Sequence, residues 1–250
     1  MVSDKLVLWL MICISIIAFV GVFFIQSIAQ DLSYHNFVDD HSIFDIPNFW
    51  NVASNIPFLI VGVLGLWQFK RFILIENMRI AYWLLFFGLI MVAFGSGYYH
   101  LDPNNHTLVW DRLPMTVAFM SLFVIIVSEF IDERIGKFIF FPFLFLGIGS
   151  VLYWQWNDDL RFYALVQFLP IILMPIIIFK YTSKFSKVFG YWWLLLAYVL
   201  AKVFEYYDSQ IFNLCAGIMS GHSMKHFIAA LGMYILLRSY LGRLRLEKDS

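Results

Sequence analysis

Residues 95–115 read GSGYYHLDPNNHTLVWDRLPM, and this stretch decides how the rest of the chain must be arranged. It joins the end of one apolar segment to the start of the next, and it carries Ser96, His100 and Asp111 close to that junction. Ionisable side chains are costly inside a lipid bilayer, where they usually mark a functional site. If the flanking segments cross a membrane, these three residues therefore belong to such a site.

Composition identifies the chain as an integral membrane protein. Of its 250 residues, 62% are hydrophobic and only 14% are charged, and the mean hydropathy is +0.78. A soluble domain of this size cannot bury so much apolar surface. The 28 Phe, 13 Tyr and 9 Trp residues suit contact with lipid and with the membrane interface. Nothing in the sequence indicates nucleic-acid binding or a nucleotide loop, and no feature specifies an oligomeric state.

The first apolar segment, residues 6–28, is uncharged and long enough to span about 30 Å of hydrocarbon as a helix. Ser27 and Ala29 also form the small-x-small pattern of a signal-peptidase site. A signal peptide has an apolar core of only about 7–15 residues. This length favours a retained helix, although both interpretations stay open.

Seven further apolar segments complete the predicted architecture. Together with the first, they predict an all-α integral membrane protein: a seven-transmembrane-helix bundle with an additional N-terminal transmembrane helix or signal peptide. The seven predicted spans are residues 49–67, 80–100, 108–130, 138–154, 160–179, 188–207 and 222–240.

Basic residues set the predicted orientation. If the N-terminus is cytoplasmic and the spans alternate, every Lys and Arg lies in a cytoplasmic segment except Arg112, Arg161, Lys202 and Lys225. The positive-inside rule requires such a bias. Both termini are then cytoplasmic, and the loop within residues 95–115 faces outward. The outer side is the periplasm or exterior of a bacterium, or the lumen of a eukaryotic organelle.

The same orientation brings a second polar motif to the outer face. The sequence GHSMKH at 221–226 opens the last span and carries His222 and His226. Residues four apart share a helix face, so both imidazoles can point toward His100. A single histidine near the membrane interface more often has a structural role, in which it only forms hydrogen bonds. Three histidines at the same depth in the bundle, however, can bind a single metal ion. Three neutral imidazoles with an open fourth position are the ligand pattern of catalytic zinc.

Asp111 and Ser96 supply the remaining chemistry of the predicted site. Zinc makes water acidic enough to react at neutral pH. Asp111 can accept the proton of that water and pass it to a leaving nitrogen. Ser96, one turn from His100, is either an oxyanion donor, worth about 2.7–4 kcal/mol of barrier, or a support for the metal ligand. The site is therefore predicted to hydrolyse a lipid amide.

Four motifs resemble the alkaline ceramidase family, within the wider group of seven-helix membrane hydrolases that includes the progestin and adiponectin receptors. They are S-x3-H at 96–100, D-x-L-P-M at 111–115, G-H-x3-H at 221–226 and N-F-W-N-x2-S-N at 48–55. The resemblance covers roughly residues 31–240. It implies a ceramidase-like seven-helix domain over residues 30–250, after a transmembrane helix or signal anchor over residues 1–29.

The resemblance also implies an activity, that of a zinc-dependent amidohydrolase acting on linear amides. Such an enzyme cleaves ceramide-like membrane lipids to a sphingoid base and a fatty acid. By this likeness His100, His222 and His226 hold one catalytic zinc, Asp111 acts on the water, and Ser96 faces the reacting carbonyl. Two alternatives stay open: a receptor-like protein in which zinc only ties helices together, and a hydrolase of another lipid amide or ester.

The chain departs from the family in the acidic segment before the second span. Asp31 and Asn36 look like two calcium ligands of eukaryotic members, and Leu32 can offer its carbonyl. The family's two glutamates are replaced by Tyr34 and Asn48. Calcium needs about 6–8 oxygen ligands, with carboxylates supplying most of the charge. A solvated acidic loop is therefore favoured over a calcium site. The other carboxylates of this loop are Asp39, Asp40 and Asp45.

The two cysteines, Cys13 and Cys215, are predicted to lie toward opposite sides of the membrane and so to be free thiols. Ser33 stands where the family has a disulfide partner.

Polar residues outside these motifs receive simpler interpretations. Three histidines are predicted to be solvated in outer loops: His35, His41 and His106. His106 is also near enough to be an alternative ligand. Arg112 either lowers the pKa of the neighbouring aspartate or extends outward to the interface. Lys202 and Glu205, three residues apart, predict an ion pair or a lipid-headgroup contact. Lys225 is expected to point to the interface, away from a bound dication.

Overall fold

A computed structural model of the protein describes residues 3–246. Residues 1–2 and 247–250, the outermost parts of the two predicted units, lie outside the described residues. Within that range the chain forms α-helices joined by loops and short 3₁₀ turns, without a β-strand. The helices are α1 (Asp4–Gly21), α2 (Phe49–Ala53), α3 (Ile56–Trp67), α4 (Arg79–Leu101), α5 (Asn105–Phe130), α6 (Glu133–Asn157), α7 (Arg161–Lys180), α8 (Phe189–Tyr206), α9 (Asp208–Leu214) and α10 (Gly221–Gly242).

The helices form the predicted all-α membrane bundle. Six helical segments of the described chain are long and apolar enough to cross a bilayer: Asp4–Phe24, Phe49–Trp67, Glu76–Leu101, Asn105–Phe130, Glu133–Asn157 and Arg161–Lys180. The helices α8 and α10 fall outside this set, but α10 packs against both α8 and α3 within the same bundle. An all-α membrane protein is therefore confirmed, while the total of eight spans stays a prediction.

The helix α5 occupies the centre of the bundle. It packs against α4, α6 and α7, and most of its side chains from Ala118 to Phe130 are buried. The outer helices instead present large apolar side chains to their surroundings, as at Phe138, Phe145 and Phe179. Such an inside-out distribution suits a lipid environment, because apolar surface carries no penalty there.

A capped turn between α4 and α5 explains how the chain returns to the depth of the site. The side chain of Asn104 accepts hydrogen bonds from the backbone N–H groups of His106 (2.9 Å) and Thr107 (3.1 Å). Asparagine is a preferred N-cap because its side chain satisfies donors that lack a partner in the first turn. The helix α5 therefore begins directly after this turn, and Asp111 lines the same cavity as His100.

The predicted second span is interrupted. The chain forms α2 and α3 with a break at Ser54 and Asn55, just before Pro57 in the first turn of α3. Proline lacks a backbone N–H and is tolerated at the start of a helix but not inside it. The break frees polar groups in the middle of an apolar segment, and one of them contacts the candidate site.

The helix α1 lies at the edge of the bundle against α7. Its carboxylate Asp4 forms an ion pair with Lys180 (3.0 Å), and Phe23 packs edge-on against Phe162 with ring centroids 5.6 Å apart. Only Met11 and a few neighbours are shielded by protein, so the other apolar side chains of α1 face outward. The division of the chain into this helix and a seven-helix core stays a prediction.

A short polar segment fastens the chain that follows α1. The backbone N–H of Gln30 donates to Asp158 (3.0 Å), and that of Ile28 donates to Asp159 (3.4 Å), in the turn between α6 and α7. The Arg161 side chain donates to the Asp159 carboxylate (2.7 Å) and holds the pKa of that carboxyl below its usual range. The loop is thereby tied to the end of the bundle that carries the site.

A buried ion pair closes the opposite end of the bundle. Glu129 of α5 is fully buried and accepts from Arg243 (2.7 Å), Tyr82 (2.5 Å) and Tyr191 (2.9 Å). The Arg243 guanidinium also lies over the Tyr240 ring, 4.4 Å from its centroid. Because every charge has partners, this cluster links α4, α5, α8 and the C-terminal segment without an orphaned ion.

Candidate metal centre

Three histidine side chains meet at one point in the bundle. His100 comes from the end of α4, and His222 and His226 come from the first two turns of α10. All three are buried, and one ring nitrogen of each lies within 4.8 Å of the others. Ring centroids are 5.0 Å apart for His100 and His222, and 5.4 Å apart for His100 and His226. The group could hold a metal ion, with each imidazole offering one nitrogen.

Two glycines allow the helices to approach closely enough for this arrangement. A Cβ atom at Gly95 would lie 1.9 Å from the carbonyl oxygen of Trp110, so only glycine fits where α4 crosses α5. A Cβ atom at Gly221 would lie 2.1 Å from the carbonyl oxygen of Phe204 in α8. Each glycine precedes a residue of the site directly, so both close crossings set the positions of functional side chains.

The two ends of α2 supply partners for two of the histidine positions. The Asn48 side chain donates to the backbone carbonyl of His100 (2.9 Å), and the Ser54 hydroxyl lies 2.8 Å from Nδ1 of His226. The same hydroxyl is 3.1 Å from the carbonyl of Asn51 and can donate to it. It then accepts the Nδ1 proton of His226, which leaves Nε2 free for a cation.

Further hydrogen bonds fix the start of α10. The Asn51 side-chain oxygen accepts from the Ser223 hydroxyl (2.7 Å), while its amide donates to the carbonyl of Asp39 (3.0 Å). The Asp208 carboxylate accepts from the backbone N–H of His222 (2.6 Å). The orientation of α10 is therefore set from the preceding loop, from α2 and from α9.

The histidine nitrogens suit a metal ion chemically. Nδ1 of His100 and Nε2 of His222 are buried without a hydrogen-bond partner among the described residues. Unpaired buried nitrogens are costly, and a cation that accepts their lone pairs removes the cost. Imidazole nitrogens without a carboxylate favour zinc and similar transition metals over calcium or magnesium. The residues present therefore fit a zinc-like ion.

Asp111 and Ser96 lie beside the histidines. Both line the cavity that contains the three imidazoles. The structure brings together all five residues that the sequence analysis assigned to the site.

The cavity extends from this polar end into the apolar centre of the bundle. Its volume is about 420 Å³, within the range of small-molecule binding sites. The inner part is lined by apolar side chains of α4, α5, α7, α8 and α10, including Leu89, Phe119, Leu122, Met174, Leu195 and Met233. A polar reaction centre thus opens onto a space suited to a hydrocarbon chain.

Comparison with known families agrees with this geometry. The family model described as Ceramidase matches residues 40–249. The chain belongs to the ceramidase family. Comparison with individually curated proteins returns no match. The resemblance predicted from the motifs is confirmed, and ceramidase membership implies a hydrolase that acts on amides of lipids. The matched region contains all five site residues and begins after the Asp31–Asn36 segment.

One aromatic side chain next to the site was missed in the sequence. Phe37, in the loop before α2, packs on the rings of His100 and His222, with 4.8 Å between centroids in both cases. Nearby, His35 contacts the Tyr99 hydroxyl through Nδ1 at 2.9 Å. No local motif marks Phe37, because its role depends on where the loop folds back over the bundle.

One prediction about the outer loops is wrong, and one alternative is excluded. Asp39 was expected in a solvated acidic loop, yet it is fully buried and one of its carboxylate oxygens lies 3.0 Å from Nδ1 of His41. His106, the alternative ligand, is exposed and contacts Gln155 (3.3 Å) outside the histidine group. Asp31 is exposed and caps the turn Leu32–His35. Among the described residues, the three histidines form the only cluster of metal-binding side chains found, and the acidic segment adds none.

One prediction about a cation near the site is also wrong, and one of two alternatives for another cation is excluded. Lys225 was expected at the interface, but its side chain is only 15% exposed and pairs with Glu205 (2.5 Å). Glu205 also pairs with Lys202 (2.7 Å), as the spacing predicted. Arg112 does not extend outward, because its side chain is buried. The thiol of Cys215, like that of Cys13, is free as expected.

Proposed function

We propose that this protein hydrolyses the amide bond of ceramide-like lipids and releases a sphingoid base and a fatty acid, with one zinc ion held by His100, His222 and His226. The observation that carries the proposal is the position of three buried imidazoles at the polar end of a long apolar cavity, in a chain of the ceramidase family.

Each side chain of the site has a role in this proposal. Bound zinc supplies a Lewis acid and an acidified water at neutral pH. Asp111 takes a proton on its carboxylate and returns it to the nitrogen of the departing amine. Ser96 lines the same cavity, and its hydroxyl donates a hydrogen bond to the reacting carbonyl. The apolar wall of the cavity binds the acyl chain and excludes water.

The orientation inferred from the basic residues completes the proposal. Both termini lie in the cytoplasm and the site lies near the outer face, so the lipid enters from the outer leaflet. The described structure supports the placement of the histidines near one end of the bundle, where α4 ends and α10 begins.

Hydrolysis is tested with purified protein and a panel of ceramides, N-acyl amines and phospholipids. We expect turnover of ceramide and a loss of at least about 100-fold in Asp111→Asn, which removes the base but keeps the shape. Asp111→Asn should retain its metal. Asp40→Asn, the same change at an exposed position, is the control and should retain full activity. An Asp111→Asn protein with undiminished turnover would remove the base assignment. A purified protein that binds zinc but cleaves no lipid of the panel would favour a structural role for the metal.

A further inference from the structure

Two arginines are buried in the bundle, and they differ in their partners. Arg243 is held by the Glu129 carboxylate at 2.7 Å. Arg112, in α5, is only 6% exposed and has no ion pair to any carboxylate in residues 3–246. A buried cation without an anion is costly at membrane depth, where such residues usually serve a ligand or a transport path.

The surroundings of Arg112 satisfy only part of its hydrogen-bonding capacity. Its guanidinium lies over the rings of Trp154 (4.1 Å to the centroid) and Tyr163 (4.7 Å), and Nη2 donates to the side-chain oxygen of Gln30 (2.7 Å). Aromatic faces attract a cation but accept no conventional hydrogen bond. Nη1 of Arg112 is buried and has no hydrogen-bond partner in the described structure, and the same is true of Nε1 of Trp154.

Both unpaired groups are donors, and neither can accept a hydrogen bond. A partner for Nη1 of Arg112 must therefore bring acceptor oxygens, and opposite charge makes the match stronger. Arg112 lines the cavity of the histidines and follows Asp111 directly in the chain. Arg112 therefore borders the space in which a ligand lies next to the reacting centre.

We propose that Arg112 binds an anionic group, a carboxylate or a phosphate-like oxyanion, on the molecule that occupies the cavity. The inference rests on the proposed function in so far as it assigns the cavity to an acyl lipid. Two sources supply the same chemistry: the carboxylate of the released fatty acid, and a charged headgroup on the amine side of the substrate. A purely structural role, in which Arg112 only fastens the loop through Gln30, is the competing explanation.

Binding is measured on the full chain in detergent after chelation of metal, so that the histidines do not hold the carboxylate. The probes are palmitate, hexadecyl phosphate and the neutral hexadecanol, each radiolabelled, and the amount retained by the protein reports occupancy. We expect palmitate and hexadecyl phosphate to bind at least about tenfold more tightly than the alcohol, as a charge-assisted hydrogen bond predicts. In Arg112→Gln this preference should vanish while alcohol binding changes less than about threefold.

Gln30→Ala separates the two roles of the guanidinium. It removes the hydrogen bond to Arg112 but leaves the charge, so the anion site predicts that the preference for palmitate survives. A loop-fastening role predicts equal losses in Gln30→Ala and Arg112→Gln. If Arg112→Gln does not fold, the wild-type comparison still decides, because equal binding of palmitate and hexadecanol overturns the proposal.

Turnover distinguishes the two sources of the anion. With a headgroup site, Arg112→Gln loses at least about tenfold more kcat/KM on an N-acyl taurine than on a neutral ceramide with the same acyl chain. With a product site, both substrates are affected equally and the inhibition constant of palmitate rises. A protein that binds palmitate through Arg112 but cleaves no ceramide would refute the proposed function and leave this inference intact.

Discussion

Ser54 tests whether the break between α2 and α3 serves the metal centre. Its hydroxyl lies 2.8 Å from Nδ1 of His226 and is buried with it. Ser54→Ala removes this contact and leaves the Nδ1 proton without a partner, while the imidazole itself remains. Groups that orient a metal-bound histidine are typically worth about 10–100-fold in metal affinity. This range corresponds to about 1.4–2.7 kcal/mol, in line with a buried hydrogen bond whose loss strands its partner.

The assay is a zinc titration of purified protein against a chelator of known affinity. We expect the zinc dissociation constant of Ser54→Ala to rise about 10–100-fold, with the protein still folded. Ser121→Ala is a matched control, because Ser121 is also fully buried but its hydroxyl has no partner in the described residues. Zinc affinity should stay at the wild-type value in Ser121→Ala. Equal affinities in Ser54→Ala and wild type would refute the reasoning that the break positions His226.

Three other predictions concern the scaffold. Arg243→Met leaves the carboxylate of Glu129 buried and unpaired, so the free energy of unfolding in denaturant should fall by about 3–5 kcal/mol. Adding Glu129→Leu should restore most of this loss. An Arg243→Met protein as stable as wild type would contradict the buried ion pair. Gly95→Ala places a methyl group against the Trp110 carbonyl and should lower both thermal stability and metal affinity. Wild-type values for both quantities would contradict the close approach of α4 to α5. The lowered pKa of Asp159 contributes stability that is present above the ordinary value of 3.8 and is lost as the pH falls below it. The stability difference between wild type and Asp159→Asn should therefore shrink between pH 7 and pH 3, and a constant difference would contradict the ion pair.

The positions of the histidines could be predicted because they depend on simple regularities. Two histidines four residues apart share a face of any helix, and counting spans from the N-terminus places His222 and His100 at the same end of the bundle. The glycine that precedes His222 is also part of the recognisable motif. Helix periodicity depends only on residues that are close in sequence, and the count of spans is a sum over separate segments. Both can therefore be obtained from a single sequence.

The environment of the cations could not be predicted because it depends on residues far away in the chain. Lys225 was expected to point to the interface, but Glu205 from α8 pairs with it inside the bundle. Arg112 finds its aromatic faces on α6 and α7, in Trp154 and Tyr163. The burial of Asp39 likewise depends on how a loop folds over the bundle. No spacing within one segment encodes such contacts.

The break at Ser54 could be predicted from the sequence only in part. The segment is apolar on average although it contains Ser54 and Asn55, so hydropathy indicates one continuous span over 49–67. Pro57 gives the only local signal, and it is also compatible with a kinked helix. The motif that contains Asn48, Asn51 and Ser54 was recognised by resemblance, whereas its role became visible only from the hydrogen bonds to α4 and α10.

Metal analysis of the purified protein tests the central claim most directly. Elemental analysis and zinc K-edge absorption should find about one zinc per chain, bound by three imidazole nitrogens with a remaining oxygen ligand. His222→Ala and His226→Ala should each lose most of this metal, while His106→Ala, which changes an exposed histidine outside the group, should retain it. A wild-type protein that binds no metal, or a metal content that is unaffected by His222→Ala, would contradict the account.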